Sequence, residues 1–237
     1  MSPAAASALA RPRLHWSGDA LVLVEFEPRV APDVNGRAVA LARAIAAADV
    51  PGVRDVVPAY SSVGVHVDPL RVDHAALDAV VSHEWDRAAA ADDDAGSEVA
   101  IPVCYGGAFG PDLDEVAAHA GLSADDVVAR HAAGRYRVYM LGFLPGFAYL
   151  GGVDPVIAMP RRDTPRTAVP AGSVGIAGVQ TGVYPVVCPG GWRLIGRTPV
   201  SMFDAAQQRP ARLLPGDIVR FVPLSPEHWD AAGHQLV

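Results

Sequence analysis

The residues able to do chemistry in this chain crowd into one stretch, Leu141–Arg197. It contains LGFLPGFAYLGG, then PRRDTPRTAVPAGSVGIAGVQTGVYP, then PGGWRLIGRTP. Glycine lets backbone approach a ligand closely, and proline holds a loop in one shape. Arginine forks match the geometry of a carboxylate or a phosphate. Residues 131–200 hold seven arginines against two acids, Asp154 and Asp163, a local net charge of +5. The corners of a small barrel explain the glycines and prolines, but not the arginines.

Arg161, Arg162 and Arg166 share one loop, and Arg166 is the preferred anion contact among them. Arg193 and Arg197 lie four apart on an expected strand and share a face. Gln180-Thr181-Gly182 reads as a polar turn that offers amide and hydroxyl groups, or as a plain hairpin. His131, in the last turn of an expected helix, is a candidate general base or phosphate donor. The plainer reading makes it a cap or a packing residue. Trp192 suits either a stacking platform or a barrel core. Ser173 lies in AGSVG, which fails the GxSxG pattern of a nucleophile elbow. Cys188 reads as a small buried thiol. Asp112, Asp114 and Glu115 are acids at a helix start, where the dipole favours them, and not a catalytic pair.

Composition narrows the classes. Of 237 residues 51% are apolar and 19% charged, a globular balance. Lysine is absent, and all 19 basic residues are arginine. A Walker A loop, a Schiff-base lysine, a biotinyl-lysine carrier and a Ser-Ser-Lys amidase are thereby excluded. Two cysteines, Cys104 and Cys188, make no disulfide framework or structural zinc site. The net charge of −7 falls in residues 1–98, with 8 arginines and 15 acids; residues 99–237 balance 11 with 11. An acidic chain with one basic patch points to a small anion or a protein partner, not to nucleic acid. No apolar run reaches the roughly 18 residues of a membrane span, and no secretory signal is read at the start. A cytoplasmic protein is expected.

The elements needed to hold those residues fall into two regions. Ala20–Phe26 is a β run, Gly36–Ala48 has helical spacing, and Val53–Val57 and Val63–Val67 alternate as strands. Ala75–Trp85 is amphipathic. The order β-α-β-β-α fits a small α+β domain of the split β-α-β type. In the second region Val99–Cys104 is a strand, and Asp112–Ala120 is a helix ended by Gly121. Ser123 and Asp126 form a capping box for a helix reaching about Ala133. Short β runs follow at Tyr136–Met140, Val156–Met159, Gly172–Ala177, Gly182–Val187, Trp192–Arg197 and Asp217–Val222. Many short strands with Pro/Gly turns suggest a closed antiparallel barrel. The expected division is a tail at 1–12, an α+β domain at 13–88, a linker at 89–98, a barrel at 99–225 and a tail at 226–237.

The runs IPVCYGGAFGPDL, LSADDVVARHAA, YMLGFLPGFAYLGG, PRRDTPRTAVPAGSVGIAGVQTGVYP, PGGWRLIGRTP and LLPGDIVRFVP together resemble the family of the 5-oxoprolinase B subunit. That family is also labelled allophanate hydrolase subunit 1 and includes a kinase inhibitor. The resemblance implies an N-terminal ferredoxin-like α/β domain followed by a C-terminal cyclophilin-like antiparallel β-barrel. It implies two partners, the A and C subunits of the same enzyme, the latter built on a related barrel. With them it implies ATP-dependent opening of 5-oxo-L-proline to L-glutamate, with release of ADP and phosphate. ATP with Mg2+ is expected at the level of the complex, because no phosphate loop is visible here. On this reading His131 is the catalytic proton-transfer residue. Arg166 and Arg197 hold the substrate carboxylate or phosphate, and Gln180, Thr181 and Tyr184 contact the lactam. The family also offers a regulatory module that inhibits a sensor histidine kinase, and a component resembling an allophanate hydrolase or a urea carboxyltransferase. Ala148, Val179 and Val187-Cys188 depart from the family pattern, the last two by losing polar groups near the expected pocket.

Overall fold

The computed structural model describes residues 11–88 and 96–234. The chain divides into two compact units, residues 1–95 and 96–237. Residues 1–10, 89–95 and 235–237, which carry most of the expected N-terminal tail and linker, lie outside the described residues.

The first unit runs β1 (Arg13–Trp16), β2 (Leu21–Glu25), α1 (Pro32–Ala47), β3 (Val53–Pro58), β4 (Ser62–Val67) and α2 (His74–Ala88). Its four strands form an antiparallel sheet in the order β1-β2-β4-β3. Alternation sends Val22, Val24, Val63, Val65 and Val67 inward. Val34, Ala38, Leu41, Ala42 and Ile45 recur at helical spacing on α1 and meet them, with Leu77, Val81 and Trp85 of α2. Each fully buried Val or Leu contributes about 1.5–3 kcal/mol. Pro32 opens α1 where its missing N–H costs nothing. Strand β1 corrects the expected order: it takes the edge beside β2, where a split β-α-β fold usually puts its last strand. RLHW is only four residues long and half exposed, so its alternation is too short to read.

The second unit runs β5 (Glu98–Tyr105), α3 (Leu113–Ala120), α4 (Ala124–Ala133), β6 (Tyr136–Leu141), β7 (Ala148–Gly151), β8 (Arg166–Val169), β9 (Ser173–Ala177), β10 (Gln180–Val183), β11 (Cys188–Gly190), β12 (Arg193–Arg197), β13 (Ile218–Pro223) and α5 (Trp229–His234). Seven strands close a barrel in the order β10-β7-β6-β13-β5-β12-β9, and β8 and β11 form a separate pair. The barrel is not wholly antiparallel, because β13 pairs with β5 in parallel over six residues. Those strands open and close the unit, and the intervening chain carries the direction reversals. Helices α3 and α4 add Val116, Ala117 and Val127 to the barrel core. The capping box is present: Ser123 Oγ accepts from the Asp126 amide at 3.1 Å, and Asp126 Oδ2 accepts from the Ser123 amide at 3.3 Å. Gly121 ends α3 with φ +67°.

Four local expectations fail. Val156–Met159 is no strand; residues 155–157 form a 3-10 turn whose N-cap is Asp154. Gln180-Thr181-Gly182 is no turn; it lies within β10, between β7 and β9. Glu98 begins β5 and is not linker, and residues 226–237 are not simply a tail, because α5 lies there. Among the described residues no helix is long and apolar enough to cross a membrane.

Candidate functional site

His131 and Thr181 meet inside the barrel, and both are fully buried. The Thr181 hydroxyl donates to the Gly175 carbonyl at 2.9 Å, so its oxygen accepts from His131 Nε2 at 3.1 Å. His131 Nδ1 then accepts from the Tyr105 hydroxyl at 2.8 Å. Phe221 stacks on the imidazole at 4.7 Å between centroids, and Tyr136 lies at 5.1 Å. Burial holds the ring neutral, with its pKa lowered to about 3. Both nitrogens are used and the ring is enclosed. The structure places His131 in the barrel core, apart from the cavity described next, and the Thr181 hydroxyl bonds its ring.

A cavity of about 260 Å³ is lined by residues of the glycine-rich segment. Phe147 and Tyr149 come from the β6–β7 hairpin, Tyr184 follows β10, and Trp192 precedes β12. Their rings pack edge to face: Phe147 lies 5.4 Å from both Tyr184 and Trp192, and Tyr149 lies 6.1 Å from Trp192. Such pairs contribute about 0.5–1.5 kcal/mol each beyond burial. A Cβ at position 190 would sit 2.5 Å from the Tyr184 hydroxyl, which explains that glycine. At the lip, Phe143 is 59% exposed. It holds φ +68° in a γ-turn closed by Leu144 N–H on Gly142 O at 2.8 Å. A bulky residue in that conformation is strained, and such strain clusters at ligand contacts. Burial pushes the Tyr184 hydroxyl upward, against a backbone hydrogen bond at Trp192 and the nearby Arg161 charge.

One buried carboxylate organises the arginines. Asp112, 3% exposed, takes Arg166 in a bidentate pair at 2.9 and 2.7 Å. It also accepts the Leu194 amide at 2.7 Å and Arg162 Nη1 at 3.3 Å. Burial alone would raise this carboxyl; the Arg166 fork and the Leu194 amide outweigh it and hold the group below the usual carboxylate range. Arg193 pairs with Glu115 at 2.7 Å. Arg161 differs from all three. Its guanidinium lies 6.0 Å above the Trp192 ring, and it makes no ion pair with any described residue. It is the uncompensated cation at the cavity.

Of the expected contacts, only Tyr184 lines this cavity. Arg166 is occupied by Asp112, and Arg197 bonds the Ala171 carbonyl at 2.7 Å and lies 5.7 Å over Trp229. Gln180 is half-buried on β10, away from the cavity lining. The preference for Arg166 over Arg161 and Arg162 is reversed in the lining. The missing signal was the acids at the start of α3: Asp112 and Glu115 neutralise Arg166, Arg162 and Arg193 and leave Arg161 available. Cys104 and Cys188 are buried free thiols. Among the described residues no three His, Cys, Asp or Glu side chains gather as metal ligands. A larger cavity, about 510 Å³, lies in the 199–212 loop, but its Arg209 is paired with Asp217 and no aromatic cluster faces it.

The family described as carboxyltransferase domain, subdomain C and D, matches residues 12–213, which span the sheet unit and most of the barrel. This sets the class of the fold. The 5-oxoprolinase B subunit of Bacillus subtilis (strain 168) is 41% identical over 232 residues, 93% of this chain and 96% of that protein. The 5-oxoprolinase B subunit of Escherichia coli O157:H7 is 45% identical over 215 residues, 90% of this chain and 96% of that protein. The crystal structure of TTHA0988 superposes with a TM-score of 0.77 at 40% identity, covering 87% of this chain and 40% of that longer one. The chain belongs to the 5-oxoprolinase B subunit family of carboxyltransferase-domain proteins.

Proposed function

We propose that this chain is the substrate-binding half of an ATP-dependent 5-oxoprolinase that opens 5-oxo-L-proline to L-glutamate together with its A and C subunits. The carrying observation is Arg161, an uncompensated guanidinium over an aromatic-walled cavity of about 260 Å³. A five-membered lactam suits the aromatic walls, and its carboxylate suits the arginine fork. Tyr184 keeps its expected place as a substrate contact. Arg166 becomes a positioning residue through Asp112. The names of the two relatives support the same activity.

Among the described residues that line the cavity there is no carboxylate, histidine, serine or cysteine; its proton-transfer groups are the hydroxyls of Tyr149 and Tyr184, the latter made a weaker acid by burial. That favours a site completed by a partner protein, with activity absent from the chain alone. ATP and Mg2+ belong to the assembled complex on this reading. In the balanced reaction the γ-phosphoryl group passes to the lactam oxygen and ADP leaves. Water adds at the activated carbon, and the C–N bond breaks with a proton to nitrogen. A second water releases phosphate from the resulting acyl phosphate. This chain's share is to hold the carboxylate with Arg161 and the ring against Trp192 and Phe147.

Co-expression with candidate A and C subunits, followed by an assay of ATP-dependent glutamate release, tests the reading. Glutamate formed only with all three proteins present is expected. A stable three-protein complex with no turnover of 5-oxoproline would overturn it.

A further inference from the structure

Arg162 is held less firmly than its neighbours. Its Nη1 reaches Asp112 Oδ1 at 3.3 Å, where that oxygen already accepts Arg166 Nη2 at 2.7 Å. The other Asp112 oxygen takes Arg166 Nη1 and the Leu194 amide. The carboxylate is therefore satisfied without Arg162. A second acid, Glu115, stands 4.0 Å away and is taken by Arg193 at 2.7 Å. Arg162 Nε is enclosed and has no hydrogen-bond partner, a costly condition for a charged donor. The Arg162 backbone, by contrast, is pinned by its N–H on the Gly191 carbonyl at 2.7 Å. Only the side chain has freedom to change, and it lines the cavity next to Arg161.

We propose that Arg162 is a second anion-binding residue of this cavity, held on Asp112 in the structure described and turned toward an arriving anion. The movement gives up two long ion pairs, to Asp112 at 3.3 Å and to Glu115 at 4.0 Å, and leaves Asp112 bonded by Arg166 and Leu194 and Glu115 bonded by Arg193. It gives Nε the acceptor it lacks. Arg161 and Arg162 then present two forks, which suits a ligand carrying a carboxylate and a phosphoryl group. The carboxylate's identity rests on the lactam reading above; the two-fork clamp does not.

The test uses the full chain with 15N-labelled arginine. Inorganic phosphate and, separately, 5-oxoproline are titrated while the arginine Nε–H signals are followed, assigned with Arg161→Gln and Arg162→Gln. The Arg162 signal is expected to move with saturation while that of Arg166 stays. Arg162→Gln is expected to weaken phosphate binding by at least about tenfold, the scale of one charged hydrogen bond. Arg162→Lys, which keeps the charge without the fork, should recover only part of the loss. An Arg162 signal that stays put while phosphate saturates Arg161 overturns the proposal, and so does unchanged affinity in Arg162→Gln. If Arg162→Gln does not fold, the wild-type titration decides. Phosphate moving Arg162 without any binding of 5-oxoproline keeps the clamp and removes the lactam. Binding of 5-oxoproline with Arg162 unmoved does the reverse. No binding of either overturns the clamp.

Discussion

Among the described residues, the first unit buries one polar side chain, Asn35, and the barrel unit buries seven. Asn35 Nδ2 donates to the Ala59 carbonyl at 3.0 Å, and the rest of that interior is valine, leucine, isoleucine, alanine and aromatic rings. The seven are Asp112, His131, Arg137, Ser173, Thr181, Thr198 and Asp217. A polar group taken from water must be bonded or it costs stability, so an apolar interior is the simpler way to fold. The barrel accepts the harder way because its buried polar groups position others. Asp112 ties the start of α3, β8 and β12 together and leaves Arg161 uncompensated. Asp217 accepts the Ser97 and Leu214 amides and so fixes where β13 meets β5. The contrast assigns the candidate site to the second unit and a purely structural interior to the first.

That contrast breaks at known places. Asp112→Ala strands two part-buried arginines and should lower barrel stability by about 3 kcal/mol in equilibrium denaturant unfolding. A loss under about 1 kcal/mol would mean the pair is no more than a surface bridge. Asn35→Ala removes the hydrogen bond to the Ala59 carbonyl and should cost the first unit about 1–2 kcal/mol, with the cavity unaffected.

His131 sharpens the comparison through pH. Its folded pKa, about 3, lies below the ordinary 6.5, so the unfolded chain binds the extra proton between those values. Its contribution is complete above about pH 6.5 and is lost as pH falls toward 3, at up to about 1.4 kcal/mol per pH unit. His131→Gln should therefore lose less stability between pH 7 and about pH 4.5 than the parent chain. Equal losses in both would show that the ring titrates in the fold. The smallest effect belongs to the exposed Arg29, paired with Asp33 and Glu27. Arg29→Ala should leave the unfolding midpoint indistinguishable from that of the parent in the same measurement.

Much of the fold was legible because its signals are local. The α1 spacing, the Ser123–Asp126 capping box and the Gly121 cap each need only a few neighbouring residues. Short elements without local signals were not: β1 is four residues, and β11 is three around Pro189. The parallel pairing of β5 with β13 joins residues 120 apart, which no window of sequence contains. The site was half legible. Its glycines, aromatics and arginines were visible as a segment, and Tyr184 does line the cavity. Which arginine stays uncompensated depends on Asp112, some fifty residues upstream, and the burial of His131 depends on barrel closure.

The most direct measurement is steady-state kinetics of the assembled complex carrying Arg161→Gln. The KM for 5-oxoproline should rise by about tenfold or more, the scale of a lost charge-assisted hydrogen bond. The unfolding midpoint of the chain should stay near the parent value, because Arg161 pairs with no described acid. An unchanged KM in a fully assembled, active complex would contradict the assignment of this cavity as the substrate site.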